Sequence, residues 1–139
     1  MTRTGSAKNV DSTFGGTRKV IADAYRKSAE ILCELLEPGD IGNPILNLVI
    51  LSMIAYADAL TAKFTLTVNS GSHADSVSTL RNALNSRFPK SQETIFKNAI
   101  ATKDTAQYAN KVITQADALK SMEDLREFSA WASDLFKRA

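Results

Sequence analysis

Two side chains in this sequence have the type and setting to do chemistry. Asp58 falls one position after Ala57 in the most apolar stretch of the chain. An unpaired carboxylate there costs several kcal/mol or stays protonated. It therefore needs a partner, and a cap, a tyrosine or a helix N-terminus inside a helical bundle is the plainer expectation. A carboxylate facing a metal is the functional alternative, weakened because no second acid stands three or four positions away to share a cation. His73 is the only histidine. At the first turn of a helix its pKa is pushed down by the helix dipole, which favours a neutral imidazole able to act as a general base. The plainer reading makes it a partner for a neighbouring helix, with Asp58 as the bonding group. Its use as a base also requires a nucleophile or an orienting group, and the local sequence supplies neither.

Other chemistry is excluded by what the chain lacks. Cys33 is the single cysteine, so no disulfide forms within the chain and no Cys/His zinc cluster can be assembled. It lies near the apolar side of a helix and reads as a packed thiol. There is no G-x-S-x-G elbow, no P-loop and no G-x-G-x-x-G, and Gly15-Gly16 alone is too little to cradle phosphate. No cofactor or metal is expected.

These residues must be positioned by helices. Val20, Ile21, Ala24, Ser28, Ile31, Leu32, Leu35 and Leu36 recur at helical steps before Pro38-Gly39, predicting a first helix over about 17–37 with that stripe buried. Asn43-Pro44 then offers a capping side chain and a first-turn proline. The run 45–60 that follows is apolar on nearly every face, as suits a helix surrounded by others. Asn47, Ser52 and Asp58 interrupt it, which argues against a membrane span. Ser72-His73-Ala74-Asp75 has capping-box form and opens a third helix with Val77, Leu80 and Leu84 buried. Phe88-Pro89 closes it. Ser91 caps a shorter helix with Ile95, Phe96, Ala99 and Ile100 on its inner side, and a polar segment spans 102–112. Thr114-Gln115-Ala116-Asp117 is a second capping box. It opens a last helix whose inner face is Ala118, Met122, Leu125, Phe128, Ala132 and Leu135. The expected fold is all-α, an up-and-down bundle of four to five helices. Any strand is confined to the stretch 64–68, where a helix end competes.

The chain has 139 residues, 44% hydrophobic and 23% charged, which fits one globular domain. Residues 1–16 are polar and breaker-rich and read as a flexible N-terminal arm ahead of a single domain over 17–139. They contain no apolar signal segment, and a cytoplasmic setting is expected. A net charge of +2 is far from the excess of a duplex-DNA binder. Arg18, Lys19, Arg26 and Lys27 make one end of the first helix positive, by default a solvated face. The aromatics Phe128, Trp131 and Phe136 of the last helix fit core packing or a self-association face.

Taken in order, Ala-Tyr-Ala-Asp-Ala-Leu at 55–60, the Ser72-His73 helix start, the segment Lys103 to Tyr108 and Thr-x-x-Asp-Ala-Leu at 114–119 resemble the HEPN superfamily of small helical bundles, over about residues 20–138. The resemblance implies frequent dimerisation and a role in nucleotide or RNA transactions, often in toxin–antitoxin or phage-defence settings. Ribonuclease members carry an Arg, four to six residues and then a His. Before His73 the corresponding positions are Leu66, Thr67 and Val68, and the segment ahead of the last helix has Lys103 and Tyr108 instead. A Lys-Tyr pair stabilises a phosphorane poorly and activates a 2′-hydroxyl hardly at all at neutral pH. The expected function is thus a non-catalytic, homodimeric HEPN-like binding or regulatory module. Its ligand or partner, a nucleotide, an RNA or a protein, would meet Asp58, His73, Lys103 and Tyr108. A degenerate ribonuclease in which Asp58, His73 and Tyr108 converge is the first alternative. A purely structural interaction bundle that holds a partner through the last helix is the second.

Overall fold

The computed structural model describes residues 7–107 and 111–139, with side chains left out at 104–107. Five α-helices carry the fold: α1 (Phe14–Glu34), α2 (Asn43–Thr65), α3 (Ser76–Leu84), α4 (Lys90–Gln107) and α5 (Gln115–Arg138). Short 3-10 turns at His73–Asp75 and Asn85–Arg87 flank α3. Two three-residue strands, β1 (Ala7–Asn9) and β2 (Thr67–Asn69), pair antiparallel with Lys8 opposite Val68. The molecule is an all-α bundle.

α2 is the hub because its sequence is apolar all round. Val49, Ile50, Met53, Tyr56 and Leu60 are buried along its length. It is long and apolar enough to cross a membrane by composition, but 78% of its most apolar window is buried inside the bundle. α1 runs antiparallel to it: Gly15 meets Ala59 near one end, and the buried Ser52 hydroxyl donates to the Ala22 carbonyl at 2.8 Å further along. α5 runs parallel to α2, with Ala118 beside Gly42 at one end and Lys63 over the Phe136 ring at the other. α4 lies antiparallel to α5, the two joined by stacked Phe96 and Phe128 with centroids 5.5 Å apart.

The inner faces of α3 and α5 are those the periodicity predicts: Val77, Leu80 and Leu84, and every member of the α5 set, are buried. Thr114 caps α5 by accepting the Asp117 N–H at 3.1 Å. Phe128 is fully buried, while Trp131 stacks on Phe88 and Phe136 packs half-buried against the core. The aromatic face of α5 thus packs within the bundle, with Trp131 and Phe136 still partly exposed.

Five expectations are corrected. α1 starts a turn early and ends at Glu34, and its predicted stripe splits. Ile21, Leu32 and Leu36 pack on the core, whereas Val20, Ala24, Ser28, Ile31 and Leu35 face solvent. The buried side is instead Gly15, Ala22 and Ala29, small residues that bring the α1 backbone close to α2 and leave the larger apolar side chains outside. Asn43 does not cap α2. Its amide accepts from Ile113 N–H at 2.8 Å and donates to the Lys111 carbonyl at 3.1 Å, tying the α4–α5 connection to the start of α2. α4 continues to Gln107, through the first half of the segment expected to be irregular. The Ser72 box forms only a 3-10 turn, with Ser72 bonding the Asp75 carboxylate at 3.3 Å and no side-chain cap on a backbone N–H. Residues 7–9 of the expected arm form β1, and Phe14 and the glycines after it belong to α1.

Candidate functional site

Charged residues of α1 that read as a solvated face are drawn to the α1–α2 seam by α2. Tyr56, buried to 1% exposure, donates its hydroxyl to Asp23 at 2.5 Å and accepts from Arg26 Nε at 3.2 Å. Lys19 completes the group with a 2.8 Å bond to Asp23. Burial pushes the Tyr56 hydroxyl up to about 12, helped by the Asp23 carboxylate it bonds. For Asp23, the hydrogen bonds from Lys19 and Tyr56 outweigh burial and hold its carboxyl below the usual range. Such a network ties α1 to α2 across their seam.

Asp58 lies nearer the α2 C-terminus on the same seam. Its only ion pair among the described residues is Arg18 Nη2 at 3.8 Å, a distance too long for a hydrogen bond. Burial drives its pKa up to about 6, against the opposing pull of Arg18 and Lys8. A carboxylate raised in the fold binds its proton more tightly there than in the unfolded chain, between pH 4 and pH 6. Its contribution to stability is therefore greatest at low pH and is lost as pH rises through about 6. A carboxyl raised from 3.8 to about 6 corresponds to about 2–3 kcal/mol of destabilisation at neutral pH. We expect Asp58→Asn to be more stable than the parent by about 1–2 kcal/mol at pH 7.5 and to flatten the stability profile between pH 4 and 6. Urea denaturation across that range measures it; an unchanged slope would mean that Asp58 is solvated and paired.

His73 sits elsewhere, exposed in the 3-10 turn before α3. Its pKa is lowered, with partial burial the main cause and the nearby charge of Lys103 the second. The structure thus brings His73 and Lys103 into one neighbourhood and leaves Asp58 with Arg18. Among the described residues no hydrogen bond joins Asp58 to His73, so the expected bond between them is not formed. Tyr108 lies outside the described residues. Cys33 is half-buried with its pKa raised by burial, an unreactive thiol. Among the described residues no three His, Cys, Asp or Glu side chains are grouped to hold a metal.

The concavity with the form of a binding site is one the motifs did not show. α4 and α5 diverge over α2 and leave a groove of about 310 Å³. Its floor is Leu46, Val49 and Met53 of α2 with Ile95 and Ala99 of α4, and Ile113 closes one end. The rim is polar: Asn98 and Thr102 on one side, Lys111, Asp117, Lys120 and Asp124 on the other, with Lys120 bonded to Asp124 at 2.9 Å. Thr102 adjoins Lys103, so one expected ligand residue borders this groove in sequence. The only sequence signal for the site was the out-of-register polar positions on two amphipathic helices, which look the same as any solvated face. In comparisons with known proteins, no protein family, no curated protein and no solved structure matches this chain.

Proposed function

We propose that the chain is a non-catalytic, HEPN-like binding module that acts as a homodimer and holds a nucleotide or a short RNA end in the α4–α5 groove. The toxin–antitoxin or phage-defence setting is the one the resemblance implies. The groove is the observation that carries this reading. Its volume is at the lower end of the ligand-pocket range of about 300–1,000 Å³, enough for one base and its sugar. An apolar floor of Val49, Met53 and Ile95 takes a planar base, and Lys111 and Lys120 at the rim offer cations to a phosphate. Asn98, Thr102 and Asp117 supply acceptors and donors for ring and sugar groups. The absence of an orienting carboxylate bond on the His73 ring, among the described residues, favours binding over cleavage.

Thermal unfolding with a panel of nucleoside mono-, di- and triphosphates and a short single-stranded RNA tests it. A ligand at about a hundred times its Kd stabilises by about 2.7 kcal/mol, a shift on the order of 10 °C for a chain of this size. Ala99→Phe, which fills the groove from the α4 side, is expected to abolish the shift. If no nucleotide or RNA raises the melting temperature, or if Ala99→Phe responds like the parent, the groove is not the site.

A further inference from the structure

The polar lining of the α4–α5 groove is rich in hydrogen-bond acceptors and short of donors. Ser121 donates its hydroxyl proton to the Ala118 carbonyl at 2.6 Å and Thr102 donates its own to the Ala99 carbonyl at 2.9 Å, so towards the groove both hydroxyls can only accept. Asp117 and Asp124 are carboxylates, acceptors by nature. Oδ1 of Asp124 takes Lys120 at 2.9 Å, and its Oδ2 accepts no hydrogen bond among the described residues. We propose that Asp124 selects nucleotides of adenine or cytosine, whose exocyclic amine stands where hypoxanthine and uracil carry a keto oxygen. This selection rests on the nucleotide-binding reading of the groove.

The order of groups along the groove places the base. α4 is antiparallel to α5, so Thr102 and Asp117 share one end and Ile95 and Asp124 the other, two turns or about 10.5 Å further along each helix. Lys111, whose carbonyl accepts from Asn43 at the start of α2, belongs to the Asp117 end and supplies a cation for a phosphate. A nucleotide anchored there by its phosphate carries its base to the far end, onto Met53 and Ile95 and beside Asp124. One turn beyond, Gln92 donates to Glu127 at 3.1 Å, and its Oε1 is buried with no hydrogen-bond partner among the described residues. Acceptors are therefore in excess at the end where the base lies.

An exocyclic amine gives Asp124 Oδ2 the donor it lacks. A keto oxygen in the same place sets lone pairs against a carboxylate, and both lose water without gaining a bond. Asparagine at position 124 would present an N–H as well as a C=O and so suit either base. Lys111 and Lys120 balance Asp117 and Asp124 in charge, and a monophosphate therefore suffices as the probe.

Isothermal titration of the full chain with two matched pairs of ribonucleoside monophosphates, cytidine against uridine and adenosine against inosine, tests the selection. Within each pair the amine-bearing member is expected to bind about tenfold or more tighter. Asp124→Asn is expected to bring the two members within about threefold of each other, with an unchanged melting curve because the side chain keeps its shape. Asp117→Asn, at the phosphate end, is expected to weaken both members alike and keep their ratio. Equal binding within the pairs, a preference for the keto member, or a ratio that Asp124→Asn leaves intact overturns the selection by Asp124 while nucleotide binding stands. If none of the four binds, the nucleotide reading of the groove falls and the selection with it.

Discussion

Replacing Phe128 by alanine is expected to remove about 3–5 kcal/mol, a large share of the ~5–15 kcal/mol that holds a domain of this size together. Phe128 is 0% exposed and sits in the middle of a run of four rings. It stacks on Phe96 of α4 with centroids 5.5 Å apart and tilts against Trp131 at 5.3 Å, and Trp131 in turn stacks on Phe88 at 5.5 Å. The run joins α4, α5 and the chain leaving α3, three elements with few other ties to one another. Truncation leaves a void that the flanking rings cannot fill without abandoning their own contacts, so the cavity cost adds to the lost burial. Urea titration followed by the fluorescence of Trp131, the only tryptophan, reads both the midpoint and the order of the ladder. A loss below about 1 kcal/mol would show that the rings repack around the gap and that the ladder is not what holds α4 to α5.

Gly42→Ala is expected to cost about 3 kcal/mol for the addition of one methyl group. A Cβ at this position would lie 2.6 Å from the Thr114 carbonyl oxygen and 2.6 Å from the Ala118 Cβ. Neither can swing away, since Thr114 is the cap of α5 and its carbonyl accepts the Ala118 N–H at 3.0 Å. The Gly42 N–H donates to the Ile113 carbonyl at 2.7 Å, so the same contact holds the wall of the groove that includes Lys111, Ile113 and Asp117. Any backbone shift that relieves the clash moves that wall. The variant is therefore expected to lose ligand-induced stabilisation as well as intrinsic stability, measured by melting temperature with and without ligand. Gly16→Ala is the control: its Cβ meets nothing within 4 Å, and replacing a glycine in the first turn of α1 is expected to stabilise by up to about 0.5–1 kcal/mol. Equal behaviour of the two variants would mean that the start of α2 yields freely.

Much of the helical layout was legible because its signals are local. The Thr114 cap and the three- and four-residue steps of α3 and α5 act through neighbours in the chain and produced the start and the buried faces expected of them, while α1 and α3 stop a few residues ahead of the breakers Pro38-Gly39 and Phe88-Pro89. β2 was barely legible, since Thr67–Asn69 becomes a strand only when residues 7–9 arrive to pair with it. The α1 stripe misled for a related reason. Periodicity marks an apolar side, but which side is buried is decided by the partner, and α2 accepts the closest approach, which only Gly15, Ala22 and Ala29 permit.

The site was less legible than the fold. Asp58 was marked as a carboxylate in need of a partner, and sequence alone could not name Arg18, two helices' contact away; it favoured His73, which the fold places beside Lys103. By itself, then, the sequence determined an all-α chain, the helix-forming segments, the anomaly of Asp58 and the lack of an Arg-to-His ribonuclease spacing, because these depend on residue type and short-range order. Only the tertiary structure decided that Tyr56 joins Asp23 to Arg26, that α4 and α5 part over α2 to leave a groove, and that the apolar line of α1 faces outward. Those features arise where residues distant in the chain meet, and the free energy that fixes them belongs to the packing of one helix on another.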